Sequence, residues 1–136
     1  MSVVKYMKIK LIQKRTDLSF DERLIVHNGE AFLKKDNKTM YIEYVDNDGA
    51  KVEVMAEEDK LSITRGGENR SELVYIPKQK TDGKIISEYG VLPIELYTHK
   101  YIMNHNVISI EYDIVISGEI TDRFRMIWNI KEDLGA

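Results

Sequence analysis

Ile108-Ser109-Ile110-Glu111-Tyr112-Asp113-Ile114-Val115-Ile116 puts an apolar residue at every even position and a polar one at all but one of the odd positions. A period of two is the signature of a strand with one buried face, because successive side chains point to opposite sides. Beyond Ser117-Gly118 the rhythm resumes, with Phe124, Met126, Trp128 and Ile130 alternating against Arg123, Arg125 and Asn129. It holds upstream as well. Met7, Ile9 and Leu11 alternate with Lys8 and Lys10, Val52 and Val54 with Lys51, Glu53 and Met55, and Leu61, Ile63 and Arg65 with Ser62 and Thr64. Helical spacing explains none of these runs.

Turn chemistry separates them. Asn47-Asp48-Gly49 is a strong hairpin signal, since Asp-Gly accepts the positive φ angles of primed turns. Glu57-Glu58-Asp59, Gly66-Gly67-Glu68-Asn69, Asp82-Gly83, Asn104-His105-Asn106 and Ser117-Gly118 mark further turns. Asn28-Gly29 reads two ways. It is either a two-residue hairpin or a bulge bending one long strand, for the apolar phase changes there from Leu24 and Val26 to Ala31 and Leu33. Pro93 lacks a ladder donor, so its strand should start, bulge or lie at a seam.

The count is about eight to ten short strands with hairpin-length connections, which suggests a sandwich or an up-and-down barrel. The barrel is preferred, because a meander needs only hairpins and closure removes the exposed edges. The expected fold is therefore all-β: a small antiparallel up-and-down β-barrel forming a single domain over residues 1–136.

Composition narrows the function classes. The chain has 136 residues and no cysteine, so disulfides, thiolate metal sites and cysteine nucleophiles are excluded. Net charge is −3, which argues against a nucleic-acid partner, whose domain is usually basic. Charges interrupt every apolar run, including the N-terminal Met1–Lys10, so neither a signal peptide nor a membrane helix is expected. A cytoplasmic location and no membrane partner follow as expectations.

Tyr41-Ile42-Glu43-Tyr44, Thr64-Arg65-Gly66-Gly67, Ser71-Glu72-Leu73-Val74-Tyr75, and Tyr89-Gly90 followed by Leu92 and Thr98 lie in an order and spacing that resembles the bacterial YwiB-like proteins. The resemblance runs from about Lys8 to Lys131. Where that family often carries a threonine and a proline before the Tyr-Gly pair, this chain has Ser87 and Glu88. The resemblance implies a calycin (lipocalin-like) barrel and favours a bend within one strand at Asn28-Gly29. It supplies no activity.

Candidate residues follow from strand phase. Glu43, mid-strand, and Arg65, on the face of Leu61 and Ile63 before the Gly-Gly turn, could together orient a polar ligand inside the barrel. The plainer reading is a structural ion pair or two surface charges. Tyr44, Tyr75, Tyr89 and Tyr112 could line a cavity. Tyrosines on half-buried strands are more often core bodies with a polar tip, and Tyr112 fits that best. His27, His99 and His105 show no metal-ligand spacing, with His27 beside the Asn-Gly kink the most suggestive. No metal or cofactor is expected. Gly-x-Ser-x-Gly is absent, and the Gly66-Gly67 pair precedes no helix, so neither a nucleophile elbow nor a phosphate loop is read. A basic stretch, Lys5, Lys8, Lys10, Lys14 and Arg15, with Tyr6, could face phosphates, but reads better as a charged strand that discourages edge pairing.

Three functions remain, in this order. The first is a small-molecule binding barrel for an apolar or amphipathic ligand, gated near Arg65 and Tyr89. The second is an interaction module or homodimer using an outer face of Tyr97, His99 and Tyr101. The third is an acid–base enzyme using Glu43.

Overall fold

The computed structural model describes residues 5–132, with side chains from Met7 onward. Met1–Val4, the side chains of Lys5 and Tyr6, and residues 133–136 lie outside the described residues, and with them the leader reading of the N-terminus and the ends of the single-domain span.

The described chain forms ten strands and no helix. They are β1 (Lys5–Asp17), β2 (Glu22–Asp36), β3 (Thr39–Val45), β4 (Lys51–Ala56), β5 (Leu61–Arg65), β6 (Arg70–Tyr75), β7 (Lys80–Ser87), β8 (Gly90–Met103), β9 (Val107–Ile116) and β10 (Glu119–Glu132). Each pairs antiparallel with the next, and β1 pairs with β10 from Ile9–Glu132 to Asp17–Phe124, closing the barrel. This is the up-and-down barrel read from the alternation, at the upper end of the expected strand number.

The long alternating runs face as their phase dictates. Ile9, Leu11, Ile42, Val54, Leu61, Ile108, Ile110 and Trp128 are fully or almost fully buried and form one continuous core. Burying a large aliphatic side chain contributes roughly 1.5–3 kcal/mol, so this set is the main source of the barrel's stability.

Bulges bear on two expectations. Asn28-Gly29 lies within β2, as the bend reading had it, but the irregularity falls just before it. Gln13 faces His27 while Lys14 faces Ile25, leaving Val26 as the extra residue. That insertion turns His27, Ala31 and Leu33 inward. Likewise His99 is the extra residue between the Thr98–Tyr112 and Lys100–Glu111 pairs. Tyr101 therefore turns toward the core, where its hydroxyl donates to the Glu57 carbonyl at 2.5 Å. The outer aromatic face of Tyr97, His99 and Tyr101 does not exist as read, because the bulge reverses the last member.

Asp82-Gly83 is a correction too. It is part of β7, and the reversal before β7 lies at residues 76–79, with Lys78 at φ 63°. Gly83 is there for space. A Cβ would stand 2.7 Å from Leu73 Cδ2 and 3.3 Å from the Glu72 carbonyl oxygen. Pro93 meets the seam expectation, since β8 pairs with β7 at Lys84–Pro93 while its ladder to β9 begins only at Glu95.

Outside the wall, Asp113 clamps three strands. It accepts hydrogen bonds from Arg123 Nε at 2.7 Å and Arg123 Nη2 at 3.3 Å, and its Oδ2 lies 2.8 Å from His99 Nε2. Burial opposes ionisation of this carboxyl, but the bonds from Arg123 and then His99 outweigh it and hold it below its usual range.

Gly83→Ala should destabilise the barrel by about 1–3 kcal/mol, because the methyl has no room. Urea unfolding of the two proteins reads this directly, and an unchanged midpoint would contradict the close β6–β7 approach.

Candidate functional site

Strand length decides where the barrel is open. β3 to β6 have five to seven residues each, whereas β1, β2, β8 and β10 have thirteen to fifteen. At about 3.3 Å per residue the wall is much lower on the β3–β6 side. The end bearing the β2–β3, β4–β5 and β8–β9 turns is plugged by the packed core. The other end opens beside the short strands.

There a cavity of about 410 Å³ enters the barrel. Its inner wall carries Tyr44, Tyr75, Tyr112 and Gln13, its sides Val52, Ile63, Leu73 and Met126, and its lip Leu24, Ile25, Arg15 and Arg65. A cavity of this size suits a small organic molecule.

A buried polar chain supports the inner wall. Trp128 Nε1 donates to the Tyr44 hydroxyl at 3.0 Å, and that hydroxyl donates to Gln13 Oε1. Gln13 Nε2 then reaches Met126 Sδ at 3.5 Å. His27 stacks behind Tyr44 with ring centroids 4.7 Å apart, and its Nε2 lies 3.0 Å from the Glu30 carbonyl oxygen. Tyr75 packs edge-on against Tyr112, centroids 4.8 Å apart. Tyr75 is 0% exposed, and its hydroxyl makes no hydrogen bond of ordinary geometry among the described residues, the Tyr112 phenol being the polar group that interacts with it.

At the lip, Asp46 organises the β3–β4 turn. Its side chain is 1% exposed, its Oδ1 accepts the backbone N–H groups of Asp48 and Ala50 at 3.0 and 3.1 Å, and its Oδ2 accepts Arg65 Nε at 2.9 Å. Arg65 Nη2 also reaches Asp48 Oδ2 at 3.3 Å. Asn47 fastens the same turn to β2, donating its N–H to Val26 O at 3.2 Å and Nδ2–H to Ile25 O at 3.1 Å.

The structure thus brings together Tyr44, Tyr75, Tyr112 and Arg65 of the six residues singled out from the sequence. It separates the other two. Glu43 is on the outer face, where Lys51 Nζ lies 3.1 Å from its Oε1, because its neighbours Ile42 and Tyr44 take the inward phase. The pairing of Glu43 with Arg65 is therefore corrected to Asp46 with Arg65, and an inward carboxylate at Glu43 is corrected with it. Tyr89 is 92% exposed in the β7–β8 turn and lines nothing, so it is no gate. In the basic stretch, Lys8 pairs with Glu30 at 2.8 Å, and Arg15 stands at the cavity lip. No group of three or more metal-ligating side chains occurs among the described residues. No helix among them is long and apolar enough to cross a membrane.

Gln13 and Asp46 are site residues not singled out from the sequence, and Arg15, read there only as part of a basic stretch, is a third member of the lining. Gln13 and Arg15 were detectable, since they continue the inward odd phase of Met7, Ile9 and Leu11. Asp46 was not, because beside Asn47-Asp48-Gly49 it reads as an ordinary turn residue.

The family model described as "Domain of unknown function (DUF1934)" matches residues 7–127. The chain belongs to this family. Among solved structures it is similar to the crystal structure of the ywiB protein from Bacillus subtilis, with a TM-score of 0.77 and 17% sequence identity over 96% of this chain and 95% of that one. That likeness bears on the fold, and with the family match it supports the YwiB-like resemblance carried by the strand motifs. Comparison with curated proteins returns no match. For a member of DUF1934, then, the cavity itself is the source of functional information.

Two outcomes follow for this DUF1934 barrel. Asp46→Ala should destabilise it by roughly 2–4 kcal/mol, since it strips partners from Arg65 and from two backbone donors, and thermal unfolding measures this. Burial, foremost, raises the phenols of Tyr44 and Tyr75 and pushes Tyr112 up to about 12 against the opposing pull of Tyr75 and Arg15. A raised phenol favours the folded state fully below its unfolded value of about 10, and that stability is lost as pH climbs toward the folded value. Tyrosinate absorbance of these rings should therefore appear together with loss of β-sheet circular dichroism above about pH 10; ionisation of all tyrosines near pH 10 in a folded barrel would contradict their burial.

Proposed function

We propose that this protein binds a small amphipathic molecule in the cavity at the open end of the barrel. The observation that carries the reading is the cavity of about 410 Å³ itself, whose inner wall sets Tyr44, Tyr75, Tyr112 and Gln13 beside an apolar lining. A cavity of this volume, mostly apolar with a few fixed polar groups, is the usual form of a small-molecule site.

The rest of the lining agrees. Val52, Ile63, Leu73 and Met126 offer an apolar body of contact, while Tyr44 and Gln13 hold each other in a fixed geometry and so preorganise the inner end. Leu24 and Ile25, each about half exposed, extend the apolar surface out to the lip. A solid barrel would favour a structural role instead, but ten strands enclose more room than the eight that side chains alone can fill. Acid–base catalysis gains nothing from the lining. Its carboxylates are Asp46, spent on Arg65 and the turn, and Asp48, exposed beside the same guanidinium.

Native mass spectrometry of the protein isolated from the cells that make it should show a small-molecule adduct. Ser71→Trp, which places an indole in the cavity from a half-buried position on β6, should lose that adduct while keeping the β-sheet spectrum. Ligand-free mass throughout, with no compound from a metabolite panel raising the melting temperature, would sink the reading.

A further inference from the structure

We infer that Arg15 is the anion-recognising residue of this cavity, and that the ligand is an organic acid: a compact apolar body bearing one acidic group. The inference rests on the ligand-binding reading above and specifies its chemistry.

The charged residues of the lining are Arg15, Arg65, Asp46 and Asp48. Three of the four are already committed to one another. Arg65 bonds to both aspartates, and Asp46 Oδ1 is filled by two backbone N–H groups. Arg15 stands apart. It continues the inward phase of β1 beyond Gln13, faces Met126 and Leu24 across its two ladders, and makes no ion pair among the described residues.

What Arg15 does make is a contact with an aromatic face: its guanidinium carbon lies 5.2 Å from the centroid of the Phe124 ring. Phe124 in turn packs against Tyr112, centroids 6.0 Å apart. Stacking on a ring holds the guanidinium plane while leaving its N–H fork open at the edge, the geometry suited to a carboxylate or another oxyanion. Asp122 and Asp17 are acids near this corner: Asp122 acts on the Tyr112 phenol, Asp17, opposite Phe124, accepts the Ser19 and Phe20 N–H groups, and neither forms an ion pair with Arg15. The aspartates on the other side of the mouth are turned to Arg65.

The cavity therefore has a polarity. One end of the lip presents an uncommitted cation, the walls are apolar, and the inner end holds the Tyr44 and Tyr112 phenols and Gln13. An acid of this shape would place its charged group at Arg15 and its body along Val52, Ile63 and Leu73.

A matched pair of fluorescent probes tests this on the intact chain. Anilinonaphthalene sulfonate and N-phenylnaphthylamine share an apolar body and differ by an anionic group. The sulfonate should bind the wild type about tenfold more tightly than the neutral probe, the worth of one charge-assisted contact. Arg15→Gln should remove that advantage and leave the neutral probe's affinity unchanged, Arg15→Lys should retain most of it, and Ser71→Trp should weaken both probes. Equal affinity of the two probes for the wild type, or equal weakening of both by Arg15→Gln, overturns the acid-recognition inference and leaves the cavity reading standing. Failure of either probe to bind, or indifference of both to Ser71→Trp, overturns the cavity reading and this inference with it.

Discussion

The ladder between β1 and β10, from Ile9–Glu132 to Asp17–Phe124, converts a ribbon of hairpins into a tube, and every other feature depends on it. In an open sheet the inward residues of β1 and of β5 would be far apart. Closure makes them share an interior, so Tyr44 bonds both to Gln13, 31 residues away in the chain, and to Trp128, 84 residues away. It also abolishes free edges along most of the sheet, which a chain rich in isoleucine and valine needs if it is not to pair with its neighbours. Such non-local pairing is slow to form, and the many hairpin turns offset this by making each successive ladder local.

Within that tube the division of labour follows from size. Ten strands leave more interior than side chains fill at both ends, and the sequence distributes bulk unevenly. Trp128, Leu11, Leu33, Ile42 and Ile110 pack one end solid. At the other, the inward positions become Gln13, Arg15, Ser71 and Arg65, which carry polar groups or little volume. Shortening β3 to β6 lowers the wall on the same side. Stability resides in one half of the barrel, and the capacity to receive a molecule in the other.

The bulges link these halves. An extra residue at Val26 lets the upper part of β2 present Leu24 and Ile25 to the cavity lip while its lower part sends Ala31 and Leu33 into the core. An extra residue at His99 allows Thr98 and Tyr101 both to face inward although they are three apart. Each is a local departure from period two that re-aims side chains without breaking closure.

The fold was legible in the sequence because alternation is a local property. Ile108 to Ile116 and Phe124 to Ile130 declare their inner faces without reference to any other strand, and Asn47-Asp48-Gly49 declares its turn. Tyr112 and Arg65 could be placed on inner faces on the same ground. What the sequence could not supply were the partners. Asp46 rather than Glu43 holds Arg65, and Asp113 is buried by His99 and Arg123 from two other strands. The Asp46 and Asp113 pairings, like the meeting of Tyr75 with Tyr112, depend on register between strands and on which inserted residue shifts it. A single added residue reverses every side chain beyond it, and that choice is made by packing across the closed barrel rather than by the strand's own residues.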